Sequence, residues 1–302
     1  MQNFSPKPIK YVDKVKRPLV RPCPCAVNHV NCGYVVISHI LNCPFNCSYC
    51  YLHTFFGRDE IVIFDDEQKI ISEVKDYLGR AEHPLRVGTG EFSDSLALPE
   101  AKSLAVKLVE LFAHQNRHFL ELKTKSAEVD FLLDLNPRGQ TVVAWSVNPQ
   151  KIIDEEEHGS ASLKERIVSA VKCLTVGYRV AFHFDPIIYF DNWQESYEEV
   201  INYLFDFVPS QAIAWISLGT LRFPFAQKEI MQRKFNTKIN LELLEKGLDR
   251  KLRYPVSLRL ELLGFVYEKI KARTNQVYIY LCMETEEVWN RLKIEPKLFM
   301  PS

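Results

Sequence analysis

The chain has 302 residues, with 38 Lys and Arg balanced by 38 Asp and Glu, so its net charge is zero. That balance excludes the global basic footprint of sequence-independent DNA binders, while leaving room for a local basic face. An apolar share of 47 % argues against disorder, and no apolar run approaches the ~18 residues a membrane span needs.

Residues 1–22 mix charges and prolines without an apolar stretch, so no signal peptide is expected. Eight cysteines without a secretion signal point to metal binding rather than a disulfide framework, and to a reducing, cytoplasmic setting. Cys23, Cys25, His29 and Cys32 are clustered in an N-terminal extension, residues 1–33. Soft ligands grouped in this way suggest a second metal site, zinc or an auxiliary iron–sulfur cluster. Packing is the alternative for Cys25 and Cys32.

From residue 34 the pattern alternates strand and helix. Strands are expected at 34–40, 85–88, 119–123, 141–147, 179–184, 212–218 and 276–282. Helices are expected at 67–79, 99–114, 127–133, 162–177 and 193–207, and a mostly helical region at 227–272, irregular around 251–256. Such alternation argues for a parallel sheet with right-handed crossovers. About six to seven strands fit an open, partial (β/α) barrel. Its core would be residues 34–223, and residues 224–302 would add a helical region and the last strand, packed on the barrel. In such barrels the chemistry sits at the C-terminal ends of strands.

Polar and metal-ligating residues do follow the expected strands. Cys43, Cys47 and Cys50 follow the first in a C-x3-C-x2-C run. Three thiolates at that spacing can hold three irons of a [4Fe–4S] cube and leave one iron open, whereas four-cysteine sites are closed. A zinc site with His53 as fourth ligand is the bland alternative. Gly88, Gly90, Glu91, Ser93 and Asp94 follow the second strand, where glycines let the backbone approach a ligand or simply make a tight turn. Lys125 follows the third, Ser146 and Asn148 the fourth, and Cys282 ends the last. Cys173 falls on an apolar helix face and reads as core. His183 alternates with Phe182 and Phe184 and so faces away from them, with a substrate contact as one reading.

The cysteine run, with Tyr49 before its third cysteine, resembles the signature of the radical S-adenosylmethionine superfamily. Within residues 34–223 the chain is similar to the spore photoproduct lyases, through Thr124-Lys125, Val129-Asp130, Trp145-Ser146-Val147-Asn148, a helix from 156 to 166, Gly177-Tyr178-Arg179-Val180 and Asp185-Pro186-Ile187. The likeness is faint from 224 to 275. It implies a [4Fe–4S] cluster, S-adenosylmethionine as the source of a 5′-deoxyadenosyl radical, a flavodoxin- or ferredoxin-like electron donor, and repair of a thymine lesion in DNA by hydrogen abstraction. It further implies that Gly88, Gly90, Glu91, Ser93, Asp94, Lys125, Ser146 and Asn148 contact the cofactor and that Tyr49 and Tyr51 flank the cluster. Glu91 occupies the place where these lyases carry a cysteine that returns a hydrogen atom. A carboxylate has no comparably weak bond to hydrogen, so Cys282, relayed by Tyr49 and Tyr51, is the substitute the sequence offers, with a core cysteine as its plain alternative. The lyases also place a DNA-wedging hairpin near residues 250–254. Its glycine pattern is not visible here, and the run Arg250, Lys251, Arg253, Tyr254 reads either as a phosphate contact or as a solvated loop. A radical enzyme acting on a peptide, modified nucleotide or small molecule, and a non-catalytic iron–sulfur or zinc protein, are the competing readings.

Overall fold

The computed structural model describes residues 4–15, 17–26, 28–57 and 59–296; the outer ends of the two flanking regions expected above, 1–3 and 297–302, lie outside the described residues. The main sheet has eight strands: β1 (Val20–Pro22), β2 (Tyr34–Ile37), β3 (Arg86–Gly88), β4 (Phe119–Thr124), β5 (Thr141–Ser146), β6 (Arg179–Ile187), β7 (Ile213–Thr220) and β8 (Ile279–Leu281). Their spatial order is β8-β7-β6-β5-β4-β3-β2-β1. Every neighbouring pair from β2 to β8 is parallel, and β1 closes the edge antiparallel to β2. Strands consecutive in sequence are adjacent in space, and the sheet curls into an open half-barrel, as the alternation of β and α signals predicts.

The central strands are covered on both faces. All residues of β5 and β7 are buried, which is why these segments read as continuous apolar runs with β-branched and aromatic residues rather than as alternating ones. Helices α1 (Glu67–Gly79), α2 (Pro99–Ala113), α3 (Leu163–Thr175), α4 (Trp193–Phe207) and α5 (Val256–Arg273) cover the outer face. α1 buries Ile70, Val74 and Leu78, one apolar stripe at i, i+4 and i+8. Asp66 caps it by accepting from the Lys69 amide. α2 begins with Pro99, where the missing N–H costs nothing. α3 begins with a capping box of Ser162 and Glu165. As expected, Cys173 is buried on its inner face.

Several expectations change in the structure. The first strand ends at Ile37; Ile40–Leu41 leaves the sheet to pair with Ile61–Phe64, which also pairs with Ile9–Val12. An apolar run cannot reveal that its two halves have different partners. The helix expected at 127–133 is a single 3-10 turn, Asp130–Leu132. The helix expected from 156 to 166 is split. Gln150–Glu156 is helical, Glu157–His158 is a strand paired with Asn46–Cys47, and α3 starts at Leu163. The region 227–272 is mostly helical, as expected, but its middle is not. It holds the helix Phe225–Arg233, α5, and a small antiparallel sheet of Arg222–Pro224, Lys251–Arg253 and Glu245–Lys246.

That small sheet contains a hairpin at 245–253 that the sequence conceals. Its turn is closed by Gly247 N–H on the Lys251 carbonyl at 2.8 Å, and its left-handed residue is Arg250 (φ 63°) rather than a glycine. Leu248 stands at the tip, 91 % exposed. Arg253 and Tyr254, read as a phosphate contact or solvated loop, are buried instead. Arg253 pairs with Asp249 at 2.6 Å, and the Tyr254 hydroxyl accepts from the Tyr189 amide at 3.1 Å.

Candidate active site

The loop 43–50 leaves the end of β2 at the mouth of the half-barrel. Asn42, in a left-handed conformation, turns the chain and accepts from the Cys43 amide at 2.9 Å. Asn46–Cys47 is strapped to Glu157–His158, and Cys50 N–H donates to the Cys47 carbonyl at 3.1 Å. Lys7 Nζ donates to the carbonyls of Cys43 (2.6 Å) and Phe45 (3.0 Å), closing the loop from outside. Cys47 is buried, and Cys43 and Cys50 are half-buried. Burial raises all three thiols: Cys47 to about 12, against the opposing pull of Lys125, and Cys43 well above the usual value. Three protonated soft ligands on one short loop suit a metal that displaces their protons. The zinc alternative fits less well. His53 Nε2–H is spent on the Cys47 carbonyl at 3.0 Å. Among the described residues no three or more His, Cys, Asp or Glu side chains stand gathered as a metal site, Cys43, Cys47 and Cys50 included.

Behind this loop stands a carboxylate that the sequence did not single out. Glu157, 1 % exposed, accepts from Tyr49 OH, from Lys125 Nζ at 2.7 Å and from Asn148 Nδ2 at 2.9 Å on one oxygen, and from Arg166 Nη2 at 2.7 Å on the other. Burial works against its ionisation, but the Lys125 and Arg166 charges prevail and hold the carboxyl well below its usual range. Arg166 also donates to the carbonyls of Ser146 (2.8 Å) and Ala161 (2.9 Å), and Tyr197 OH donates to Asn148 Oδ1 at 2.9 Å. The neighbouring Glu156 accepts from Ser48 OH, Thr237 OH (2.8 Å) and Lys238 N–H (2.7 Å). The structure therefore brings Tyr49, Lys125, Ser146 and Asn148 together, around Glu157. Glu156, Glu157 and Arg166 were missed because the segment 156–166 reads as one helix, and only the pairing of Glu157–His158 with Asn46–Cys47 turns them to the site.

Across β3, the glycines have a packing reason. A Cβ on Gly88 would lie 2.2 Å from Tyr34 OH and 2.4 Å from the Glu121 carbonyl; one on Gly90 would lie 2.6 Å from Lys123 Cβ. Asp94 is fully engaged by its own chain. It accepts from the Leu96 and Ala97 amides (2.9 Å each), Thr124 OH (2.7 Å) and the Lys125 amide (2.7 Å), tying this loop to the end of β4. Ser93, by contrast, has a buried hydroxyl with no protein partner. Tyr51 OH donates to the Glu91 carboxylate at 3.0 Å, and burial raises the Glu91 pKa.

The facing wall is built on β6, β7 and β8. Arg222 grips Asp185 with two bonds, 2.8 and 3.1 Å, and its Nη2 also reaches Cys282 Sγ at 3.4 Å. His183 faces the barrel interior, as its alternation predicts, but both ring nitrogens are taken. Nε2–H donates to Glu121 at 2.7 Å, and Nδ1 meets Ser217 OH at 2.5 Å, so a substrate contact is not its role. Burial opposes the charge on Glu121, yet Arg86 and His183 hold it down to about 2.

The family model described as spore photoproduct lyase matches residues 33–295. Among curated proteins, the spore photoproduct lyase of Clostridium acetobutylicum is 25 % identical over 205 residues, covering 67 % of this chain and 61 % of the relative. That of Geobacillus sp. is 28 % identical over 210 residues, covering 66 % and 60 %. The match thus spans about three fifths of the relatives' own length. Among solved structures, a spore photoproduct lyase double mutant with bound AdoMet and dinucleoside spore photoproduct superposes with a TM-score of 0.78 at 23 % identity, over 89 % of this chain and 81 % of that one. Streptococcus suis SuiB bound to a precursor peptide shares the fold more loosely, with a TM-score of 0.53 at 14 % identity, over 85 % and 50 %. With the family model covering most of its length, the chain belongs to the spore photoproduct lyase family.

Proposed function

We propose that this chain is a radical S-adenosylmethionine enzyme that repairs a thymine photoproduct in DNA. The observation that carries the reading is the convergence of three buried or half-buried cysteines with the 88–95 loop and Lys125 at one mouth of the half-barrel. Cys43, Cys47 and Cys50 would hold a [4Fe–4S] cluster with one iron open. Ser93, with its unpartnered hydroxyl, is the group of the 88–95 loop best placed to meet S-adenosylmethionine. When bound, the pair supplies a carbon-centred radical able to abstract hydrogen.

The protein's own residues do the rest. Glu157 keeps Lys125 and Tyr49 in fixed positions beside the cluster loop, and Lys7 adds a cation near all three sulfurs. Glu91 stands at the place of the relatives' cysteine, and Tyr51, which donates to it, has an O–H bond that can give up a hydrogen atom. The exposed Leu248 at the hairpin tip favours a duplex substrate, because an apolar wedge between base steps is a recurrent way to open DNA. A solved relative binds a dinucleoside spore photoproduct, consistent with that substrate class. The reading includes a flavodoxin- or ferredoxin-like electron donor, a cytoplasmic setting, and residues 224–302 as a DNA-facing addition to the 34–223 core. No described helix is long and apolar enough to cross a membrane.

A non-DNA substrate is the second reading, favoured by Glu91 and the Asp185–Arg222 pair, which give the mouth mixed charge. One experiment separates the two. The reconstituted, reduced protein is incubated with S-adenosylmethionine and ultraviolet-irradiated spore-type DNA. Restored thymines together with 5′-deoxyadenosine are expected. Cofactor cleavage without thymine would move the substrate elsewhere, and no cleavage at all would leave a non-catalytic iron–sulfur protein.

A further inference from the structure

Lys123 is the last residue but one of β4, at the mouth end of the half-barrel. Strand alternation fixes its direction. Glu121, two positions earlier, accepts from His183 Nε2–H at 2.7 Å and from Trp215 Nε1–H at 3.2 Å across the barrel interior, so Lys123 points inward as well. Asp185 follows His183 by two positions on β6 and shares its face. Glu121 and His183 thus form one layer of the interior, and Lys123 and Asp185 belong to the next layer towards the mouth.

The residues beside Lys123 are small. Across the sheet its register partner on β5 is Ala144, whose own partner on β6 is Ala181. On the other side stands Gly90, where a Cβ would lie 2.6 Å from Lys123 Cβ. One glycine and two alanines leave the space over these strands to the lysine stem and to what enters the mouth. The side chain is half-buried, yet among the described residues its ammonium makes no hydrogen bond and no ion pair. The nearby carboxylates are already engaged. Asp185 takes two bonds from Arg222, and Glu91, next to Gly90, takes the Tyr51 hydroxyl. Burial opposes the charge on both carboxyls, and the Lys123 cation works against burial in each, with Arg222 the larger pull on Asp185. Lys125 has a different task, since two of its N–H groups go to Glu157 and Tyr49.

We propose that Lys123 is a substrate-binding residue that donates to a carbonyl oxygen of a pyrimidine ring entering the half-barrel. An ammonium that has lost part of its water without gaining a protein partner is stabilised by an acceptor supplied from outside. It has three donors on a flexible stem and can follow that acceptor. Glu91 and Asp185 balance the charges of Lys123 and Arg222, so this layer has no net positive charge to draw in a phosphate. A ring carbonyl is an acceptor without net charge and meets no such obstacle. The ring also reaches deeper. A nucleotide turned out of a stack leads with its base edge, while its phosphates stay with the strand. The assignment rests on the proposed action on a thymine lesion and adds which group of that lesion the chain holds and with which atom.

The test is equilibrium dialysis with the reconstituted protein and S-adenosylmethionine before any reductant is added, so that the lesion is bound but not consumed. The probes are a dinucleoside spore photoproduct, which has no phosphate, and the same lesion as a dinucleotide. Lys123→Met should weaken the binding of both by the same factor, about 10- to 100-fold. Lys123→Gln, which keeps a neutral donor, should lose less than Lys123→Met, and Lys123→Arg less still. A lysine that only fills space would not produce that order, because Met and Gln are alike in size. If Lys123→Met lacks the native circular dichroism spectrum, Lys123→Gln against Lys123→Arg carries the comparison. Equal affinities in the native chain and every folded variant overturn the proposal. A loss confined to the dinucleotide assigns the lysine to phosphate and overturns it as well. A native chain that binds neither probe overturns the proposed lesion repair and this assignment with it, so the two failures are read apart by the native chain alone.

Discussion

On the wall beside the cysteine loop, Glu157 and Arg166 have fully buried side chains, and Glu157 takes donors from four residues of the same chain. On the facing wall, the side chains of Asp185 and Arg222 are 12 % and 15 % exposed and pair mainly with each other. The Glu157–Arg166 pair is saturated by its own chain, while Lys125, 15 % exposed, keeps one N–H for a ligand. The two residues of the pair position the loop and cannot turn outward without leaving a buried charge unpaired. The second wall keeps a guanidinium N–H on a sulfur and carboxylates near solvent, so it can still change partners. A site with one fixed and one adaptable wall separates positioning the cysteine loop from accommodating what comes into the mouth.

The largest expected effect breaks the comparison at the loop itself. Cys47→Ala should abolish 5′-deoxyadenosine formation altogether. Cofactor cleavage at the native rate would remove the loop from the chemistry. Next comes Glu157→Gln, which strands the buried Arg166 and should cost about 3–5 kcal/mol in chemical denaturation. A loss no greater than that of Asp185→Asn would show that the walls do not differ. Acid should weaken the loop side. Burial lowers His39, at the end of β2, and His53, on the Cys47 carbonyl, to about 4 each. Both fold best uncharged, so the unfolded chain binds more protons below its pKa of about 6.5, and stability falls as pH drops from there towards 4. For His39 the loss is about 3 kcal/mol at most, and His39→Gln should flatten that part of the profile. A flat native profile across this window would contradict the assignment.

Asp185→Asn should cost less, about 1–3 kcal/mol, because Arg222 keeps its bond to the Thr220 carbonyl at 3.0 Å. The smallest effect on stability belongs to Leu248→Ala, within about 0.5 kcal/mol, since the side chain is exposed. If the hairpin enters a duplex, the same change should weaken binding to irradiated DNA measurably, and unchanged binding would take Leu248 out of the interface.

Spacing and periodicity determined a good deal. The C-x3-C-x2-C run, the alternation of β and α, and the placement of the 88–94 strip, Lys125 and Ser146 after strands are local patterns, legible within windows of ten or fifteen residues. What escaped is pairing over long separations. Glu157 becomes the hub of one wall because residues 46–47 pair with 157–158, more than a hundred positions away. Val30 meets Glu284 because the curled sheet brings the segment after β8 round to the loop that precedes β2. The hairpin at 245–253 stayed hidden because an arginine takes the left-handed position where a glycine would have signalled a turn. A sequence window reports which conformation a segment prefers; which charges and sulfurs become neighbours is decided when the sheet curls and water leaves, because only then does an unpaired charge become too costly to bury.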